Sequence, residues 1–408
     1  MRILFVSSEG LPYSKTGGLA DVVEALPKAL VAAGHEVAVL LPRYRGNKAT
    51  GTALPSLTIP MGTSVRFPSI MEGDTIAGVR YFLVDDPEYF DRDFLYGDKS
   101  GDYKDNAERF TEFSRVAIEF VKRVWLPDVI HCHDWQAALV PLILRTQHAN
   151  DPVVRALPVV FTIHNLAYQG LFPYAVLRDI GLPDTLFTMD RLEFYGKVNF
   201  LKGGLIFSDY LTTVSRRYAK EIQTPEYGAG LEGVIRGRGE RLVGILNGVD
   251  YSIWSPEADT FIPQHYSAQN MKGKKVCKRA LLESFGLPTD NLERPLIGII
   301  SRFVDQKGFD LIAEIGAELM EDDLTLVALG TGLPEYEKLF KDLAEKYPSR
   351  LGLKIGYDNA LAHRIEAGSD MFLMPSAYEP CGLNQIYSLR YGTVPVVRAT
   401  GGLDDTIQ

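Results

Sequence analysis

Cysteine is scarce: Cys132, Cys277 and Cys381 are the only three in 408 residues. A trio so widely spaced forms no paired framework. This excludes a disulfide-built secreted scaffold and suits a reducing, cytoplasmic setting. Long apolar runs are lacking too. None approaches the ~20 residues that a membrane helix needs, so no membrane partner is expected. Positive charge is in short supply, with 43 Lys and Arg against 52 Asp and Glu, a net charge of −9. That argues against a general nucleic-acid binder while leaving room for a local basic pocket. Low-complexity tracts and short-period repeats are also missing, which excludes solenoids and disordered arrays. The first residues enter a strand at once, so no signal or transit peptide is expected in this chain.

What is present is a well-stocked core. Apolar residues make up 46% and charged residues 23%, the balance of a globular chain with two or three domains. Strand and helix signals alternate from the start. Ile3–Val6 reads as a buried strand, and Leu19, Val22, Val23, Leu26, Leu30 and Val31 fall on one helix face ending at Gly34. Strands follow at Glu36–Leu41, Val79–Val84, Val129–Cys132, Pro158–Ile163, Leu211–Val214 and Leu242–Leu246. Residues 45–105 are less regular, apart from the aromatic segment Tyr89–Tyr96. A helix pattern runs through Ala107, Phe110, Phe113, Ala117 and Phe120.

The same rhythm restarts after the turn Asn247-Gly248-Val249-Asp250. A helix is expected around 271–285. Strands at Leu296–Ile300, Leu324–Leu329, Leu351–Ile355, Met371–Met374 and Val394–Val397 then alternate with helices. Parallel sheets covered by helices, twice over, give an α/β chain of two doubly wound, Rossmann-like domains, 1–246 and 247–408. Ligands of such sheets bind beyond the carboxyl ends of the strands. That rule selects Lys15 and Gly18, Asp134, His164, Asn247, Arg302 and Lys307, and Glu379. Two domains facing each other across a cleft are a common setting for a substrate site.

Each of these stretches admits two readings. Ser14-Lys15-Thr16-Gly17-Gly18 sits at a strand-to-helix turn, where glycines let backbone N–H groups approach an anion and lysine adds a point charge. It also suits a tight turn with a surface lysine. Arg302 and Lys307 flank a turn before a helix and can neutralise a diphosphate, or simply be solvated. Glu379 stands at a helix start, either held with its carboxylate aimed at a ligand or acting as a favourable cap. Cys381 suits a packed small residue rather than a nucleophile.

Taken together, Lys15-Thr16-Gly17-Gly18-Leu19, His131-Cys132-His133-Asp134-Trp135, Thr162-Ile163-His164-Asn165, Ser301-Arg302 with Gln306-Lys307-Gly308, and Glu379-Pro380-Cys381-Gly382-Leu383 resemble the bacterial glycogen synthases and plant starch synthases. Asn247-Gly248-Val249-Asp250 and Arg390-Tyr391-Gly392-Thr393-Val394-Pro395 agree, so the resemblance spans the chain. It implies a GT-B glycosyltransferase that moves glucose from ADP-glucose to the non-reducing end of an α-1,4-glucan with retention. For a processed plant-type chain it would imply a plastid. Lys15, Gly17 and Gly18 would meet the phosphates and glucose, Arg302 and Lys307 the diphosphate, and His164 the donor glucose. Glu379 would be the catalytic carboxylate. Asp134 and Asn247 would lie near the transferred sugar. Gly330, Thr331 and Tyr357 would lie towards the nucleoside, and Cys381, Gly382 and Leu383 would line the donor site. Trp135 and Tyr96 would face the glucan. No cofactor is implied.

Two metal readings are set aside. His131-Cys132-His133-Asp134 has ligand-type residues, but adjacent strand side chains point to opposite faces. Asp91-Arg92-Asp93 has the D-x-D form of the other major glycosyltransferase fold, yet lies in an aromatic loop of the wrong architecture. The chain also departs from the family pattern. Leu333 stands where an acidic residue is common, and Asn384 where threonine is frequent. The family continues well past Thr400-Gly401-Gly402-Leu403, its last helix crossing back onto the first domain. A chain ending at Gln408 is therefore expected to be open and weakly active. Two other classes remain for comparison: a non-catalytic glucan-binding scaffold of the same fold, and a nicotinamide-dependent oxidoreductase. The latter lacks G-x-G-x-x-G after the first strand.

Overall fold

The computed structural model describes residues 1–98 and 101–408. It separates into two compact units, Met1–Val214 with Ala219–Gly248, and Ser215–Tyr218 with Val249–Gln408. The division falls two residues beyond the expected boundary. The short piece Ser215–Tyr218 goes with the second unit, where the Ser215 hydroxyl donates to the Pro380 carbonyl at 2.7 Å.

The first unit is built on a nine-stranded sheet. Its order is Leu242–Gly244, Tyr210–Thr213, Val159–Ile163, Val129–His133, Arg2–Val6, Glu36–Pro42, Val79–Asp85, Ser69–Ile76 and Gly51–Leu54. The seven strands from Leu242–Gly244 to Val79–Asp85 are parallel. The last two pair antiparallel and come from the stretch that had looked irregular. Apart from the buried Ile70, their residues are exposed or half-buried, so they lack the apolar runs of strands covered on both faces. Arg2–Val6 lies centrally, with Phe5 beside Val39 on one neighbour and His131 on the other.

The helix Asn106–Arg123 buries Phe110, Phe113, Ala117 and Phe120, as its period requires. It also buries Arg109 completely. That guanidinium is satisfied by the carbonyls of Tyr89 (2.7 Å) and Leu95 (3.0 Å) and by Asn106 Oδ1 (2.6 Å). A buried arginine with directed acceptors thus pins the aromatic segment 89–96 and places Tyr96.

The second unit holds a five-stranded, wholly parallel sheet in the order Leu351–Ile355, Thr325–Gly332, Leu296–Phe303, Met371–Met374 and Val394–Val397. Helices Phe309–Leu319 and Pro334–Lys346 pack Phe309, Ile312, Phe340 and Leu343 against Ile297, Ile299 and Phe303. Between strand and helix, Asp305–Lys307 makes a tight turn ending at Gly308, whose φ is +73°. A Cβ there would lie 2.0 Å from the Pro375 carbonyl oxygen. Backbone conformation and space both demand glycine. Gly308→Ala is expected to destabilise the chain by about 2 kcal/mol or more. A urea-denaturation midpoint equal to that of the parent chain would contradict this account.

Candidate active site

In the first unit, residues just past the carboxyl ends of three neighbouring parallel strands carry the polar groups. The Lys15 turn lies after Arg2–Val6, and Gly17 is the extended N-cap of helix Gly18–Ala32. A Cβ on Gly17 would meet nothing within 4 Å, so no packing demands glycine there. Lys15 Nζ pairs with Asp21 on the first turn of that helix at 2.6 Å. The turn itself is anchored by Glu9, a buried carboxylate that sequence reasoning missed. Glu9 accepts from the Thr16 backbone N–H, from the Thr16 hydroxyl (2.5 Å) and from the Tyr96 hydroxyl (2.6 Å). Glu9 stands three residues past Val6, so the strand-end rule that picked out Lys15 already pointed at it.

Asp134 follows the next strand and adopts φ +55°, a left-handed conformation that aspartate tolerates better than most residues. That turn aims its carboxylate at the following strand end, where it accepts from the His164 backbone N–H at 2.7 Å. Loss of solvation raises its carboxyl to about 7, against the opposing pull of the His164 and Asn165 N–H groups. His164 itself is half-buried, and burial lowers its imidazole to about 3. Lys15, Asp134 and His164 therefore all belong to this unit, as does Asn247 near its end.

The two residues expected to face a glucan, Trp135 and Tyr96, both make definite contacts within the first unit. Trp135 is only 8% exposed, packed edge-on to Phe110 at 5.0 Å and against Phe172, with Gly170 directly beneath its ring. Its ring is part of the core of this unit. The Tyr96 hydroxyl donates to Glu9 and is 2.7 Å from the Ser8 hydroxyl.

In the second unit Arg302 is the last but one residue of strand Leu296–Phe303 and is exposed. Lys307 donates to Glu379 Oε2 at 2.6 Å, and the Ser376 hydroxyl adds a bond at 3.1 Å. Glu379 is 6% exposed. Its main chain lies against Gly401, where a Cβ would sit 1.9 Å from the Glu379 carbonyl oxygen, and Gly402 N–H donates to that same oxygen. The Thr400-Gly401-Gly402 turn is therefore part of what positions Glu379. Gly382 (φ +71°) and Leu383 lead into helix Asn384–Tyr391, while Cys381 is buried and its carbonyl accepts from Gln385. Asn384, the departure from threonine, ties the helix start to the Ile300 carbonyl at 3.0 Å.

Gly330 is required by packing, since its Cβ would strike Ser301 O at 2.0 Å. Thr331 donates to Glu337 Oε1 at 2.7 Å, and Gly332 N–H to the same oxygen at 3.2 Å. Glu337 thus brings a carboxylate to the turn where Leu333 had seemed to remove one. Tyr357 is 76% exposed, its ring free on the surface of this unit.

The metal readings meet definite partners. Arg45 donates to Asp91 at 2.7 Å and to Asp93 at 2.5 Å, which accounts for the D-x-D pair. His131 and His133 are two residues apart and do share a face, so strand alternation separates only Cys132 from them. Their rings bond to Thr162 Oγ1 (2.6 Å) and to His164 (3.0 Å). Among the described residues, no group of three or more His, Cys, Asp or Glu is arranged to hold a metal.

Residues 2–237 match the family described as starch synthase catalytic domain, and residues 286–408 match glycosyl transferases group 1. The sucrose-phosphate synthase (tll1590) of Thermosynechococcus elongatus shares the fold, with a TM-score of 0.62 at 18% identity, over all of this chain and 83% of that one. The chain is thus a glycosyltransferase of the GT-B fold. It is 58% identical to the glycogen synthase of Koribacter versatilis (strain Ellin345), over its whole length and 84% of the relative. The catalytic domain of starch synthase IV from Arabidopsis thaliana, bound to ADP and acarbose, superposes with a TM-score of 0.90 at 36% identity, over all of this chain and 84% of that one. The chain belongs to the glycogen synthase and starch synthase family, and its activity lies in glycogen or starch synthesis.

Two predictions follow from the first-unit geometry. Glu9→Gln replaces one acceptor oxygen by an amide donor facing Thr16 or Tyr96, so the Lys15 turn should loosen. The donor KM is expected to rise about 10-fold, with a smaller change for the glucan acceptor. Equal changes in both constants would contradict an anchoring role. Asp134 has a folded-state pKa above its unfolded value of 3.8. Its stabilising contribution is complete below about pH 4 and is lost as pH rises towards 7. Asp134→Asn lacks this slope and keeps a residue that accepts positive φ. The melting temperature of the variant minus that of the parent should therefore increase from pH 4 to 7 and then level off. A difference independent of pH would refute the shift.

Proposed function

We propose that the chain transfers glucose from ADP-glucose to the non-reducing end of an α-1,4-glucan with retention at the anomeric carbon. The observation that carries the residue assignment is the Lys307–Glu379 pair, with Arg302 on the same strand-and-turn element. Breaking the sugar–phosphate bond leaves positive charge on the glucosyl ring and negative charge on the departing ADP. Cations held at a strand end stabilise the second, and an oriented carboxylate suits the first. Arg302 and Lys307 take the diphosphate. Glu379 orients the sugar. Lys15 and the N–H groups at Gly17 and Gly18 meet phosphate and glucose, while His164 contacts the donor sugar.

A retaining hydrolase would place a second carboxylate about 5 Å from the first to act as nucleophile. The Glu379 carboxylate is tied to Lys307 and to the Ser376 hydroxyl, so it is held as a fixed hydrogen-bond acceptor. This supports a front-side path. The C1–O bond to ADP breaks, the acceptor hydroxyl oxygen bonds to C1, and its proton passes to the departing phosphate. The exposed ring of Tyr357 suits the nucleoside side of the donor. The ADP-bound relative, at a TM-score of 0.90, supports a nucleotide-sugar donor.

Lys307→Ala should lower kcat for glucose transfer from ADP-glucose to glycogen by about 100-fold or more, with glucan binding nearly unchanged. A variant with parental kinetics would remove Lys307 from the reaction. Because three side-chain cations serve the phosphates, EDTA should leave transfer unaffected. Loss of activity on chelation, restored by Mn²⁺ or Mg²⁺, would return attention to Asp91, Asp93 and the histidines.

A further inference from the structure

Behind His164 lies a second imidazole that the reaction scheme does not use. His133 is completely buried and stacks on Phe5, with ring centroids 5.3 Å apart and planes 15° apart. Its Nδ1 is 3.0 Å from Nε2 of His164. Its other nitrogen, Nε2, is buried and has no hydrogen-bond partner among the described residues. Burial lowers both imidazoles well below their usual range, and each is disfavoured further by a neighbouring histidine, so both are neutral.

Two neutral rings facing each other share one proton across that contact, and only two arrangements are possible. In one, His164 Nε2–H donates to His133 Nδ1. The proton of His133 must then sit on Nε2, as a buried N–H with no acceptor. In the other, His133 Nδ1–H donates to His164 Nε2. His133 Nε2 is then a bare lone pair against apolar surroundings, and the proton of His164 sits on Nδ1. Orphaned buried N–H donors are the rarer defect in folded proteins. The hydrogen bond made by one ring nitrogen fixes what the other can do.

We infer that His133 is a positioning residue that locks His164 in the Nδ1–H tautomer, so that His164 meets its ligand as a hydrogen-bond donor. Among the described residues no hydrogen bond is made by His164 Nδ1, which belongs to a half-buried ring, so this N–H is available. The partner it selects is an oxygen lone pair, as on a sugar hydroxyl. The functional half of this inference rests on the placement of His164 against the donor sugar proposed above. The tautomer itself does not.

Long-range ¹⁵N–¹H correlation spectra of the full chain, labelled at its histidine ring nitrogens, read the tautomer without any substrate. The His164 signals are identified by their loss in His164→Gln. The expected pattern is a protonated Nδ1 and a bare Nε2 on His164. The reverse pattern would overturn the inference outright, whatever the enzyme does. His133→Asn keeps an amide N–H near the position of Nδ1, and should preserve both the pattern and kcat to within about threefold. His133→Asp offers only acceptors, and should move the His164 proton to Nε2 and cut kcat at least about 10-fold, since a wrong tautomer disables a catalytic imidazole. An aspartate variant that moves the proton and keeps full kcat would overturn the positioning role. If the His133 variants fail to fold, the parent spectrum, with His164 identified through His164→Gln, still decides the tautomer.

Discussion

A carboxylate withdrawn from water must be met by cations or by directed N–H and O–H groups, and the polar regions of both units are arranged around that constraint. Three carboxylates show three solutions. Glu9 is met by two groups of Thr16 and by the Tyr96 hydroxyl. Glu379 is met by Lys307 and Ser376. Asp134 is met by backbone N–H groups, which do not offset its lost solvation, and its carboxyl rises to about 7. Each solution fixes more than a charge. Glu9 holds a turn, Glu379 holds a lysine, and Asp134 holds the start of the His164 segment.

The same constraint pairs a lysine with a carboxylate in each unit. Lys15 lies on Asp21 and Lys307 on Glu379, each at 2.6 Å. A lysine on a long stem loses rotamer freedom when it binds an anion. Pairing it in advance restricts that freedom, so less is lost when the ammonium meets an anion. Glycines complete the arrangement where backbones touch. Gly308 lies under Pro375, and Gly401 under Glu379, at distances no side chain permits.

Much of this was legible in the sequence. Buried runs such as Val37–Leu41 and Leu296–Ile300 announce parallel strands, because sheets covered on both faces need apolar residues throughout. The strand-end rule then singled out Lys15, Asp134, His164, Arg302, Lys307 and Glu379. Less legible were the antiparallel strands Gly51–Leu54 and Ser69–Ile76, whose mixed polarity lacks a buried face. Nor does a Trp or Tyr in the sequence carry any mark of where its ring turns. Trp135 faces Phe110 and Phe172, and the Tyr96 hydroxyl is taken by Glu9.

Local sequence determined the element types, the strand ends and the glycine turns, since these depend on residues close in the chain. Tertiary structure alone decided the partners: Glu9 to Thr16 and Tyr96, Arg109 to the 89–96 segment, Glu337 to the Thr331 turn, and His133 to His164. Three of these four join residues further apart in sequence than any helix turn or hairpin. Even the Glu337 bond, within six residues, requires a strand end and a helix start to be set at a particular angle. Hydrogen bonds act over about 3 Å, so their pairing follows from how sheets and helices pack, not from residue order.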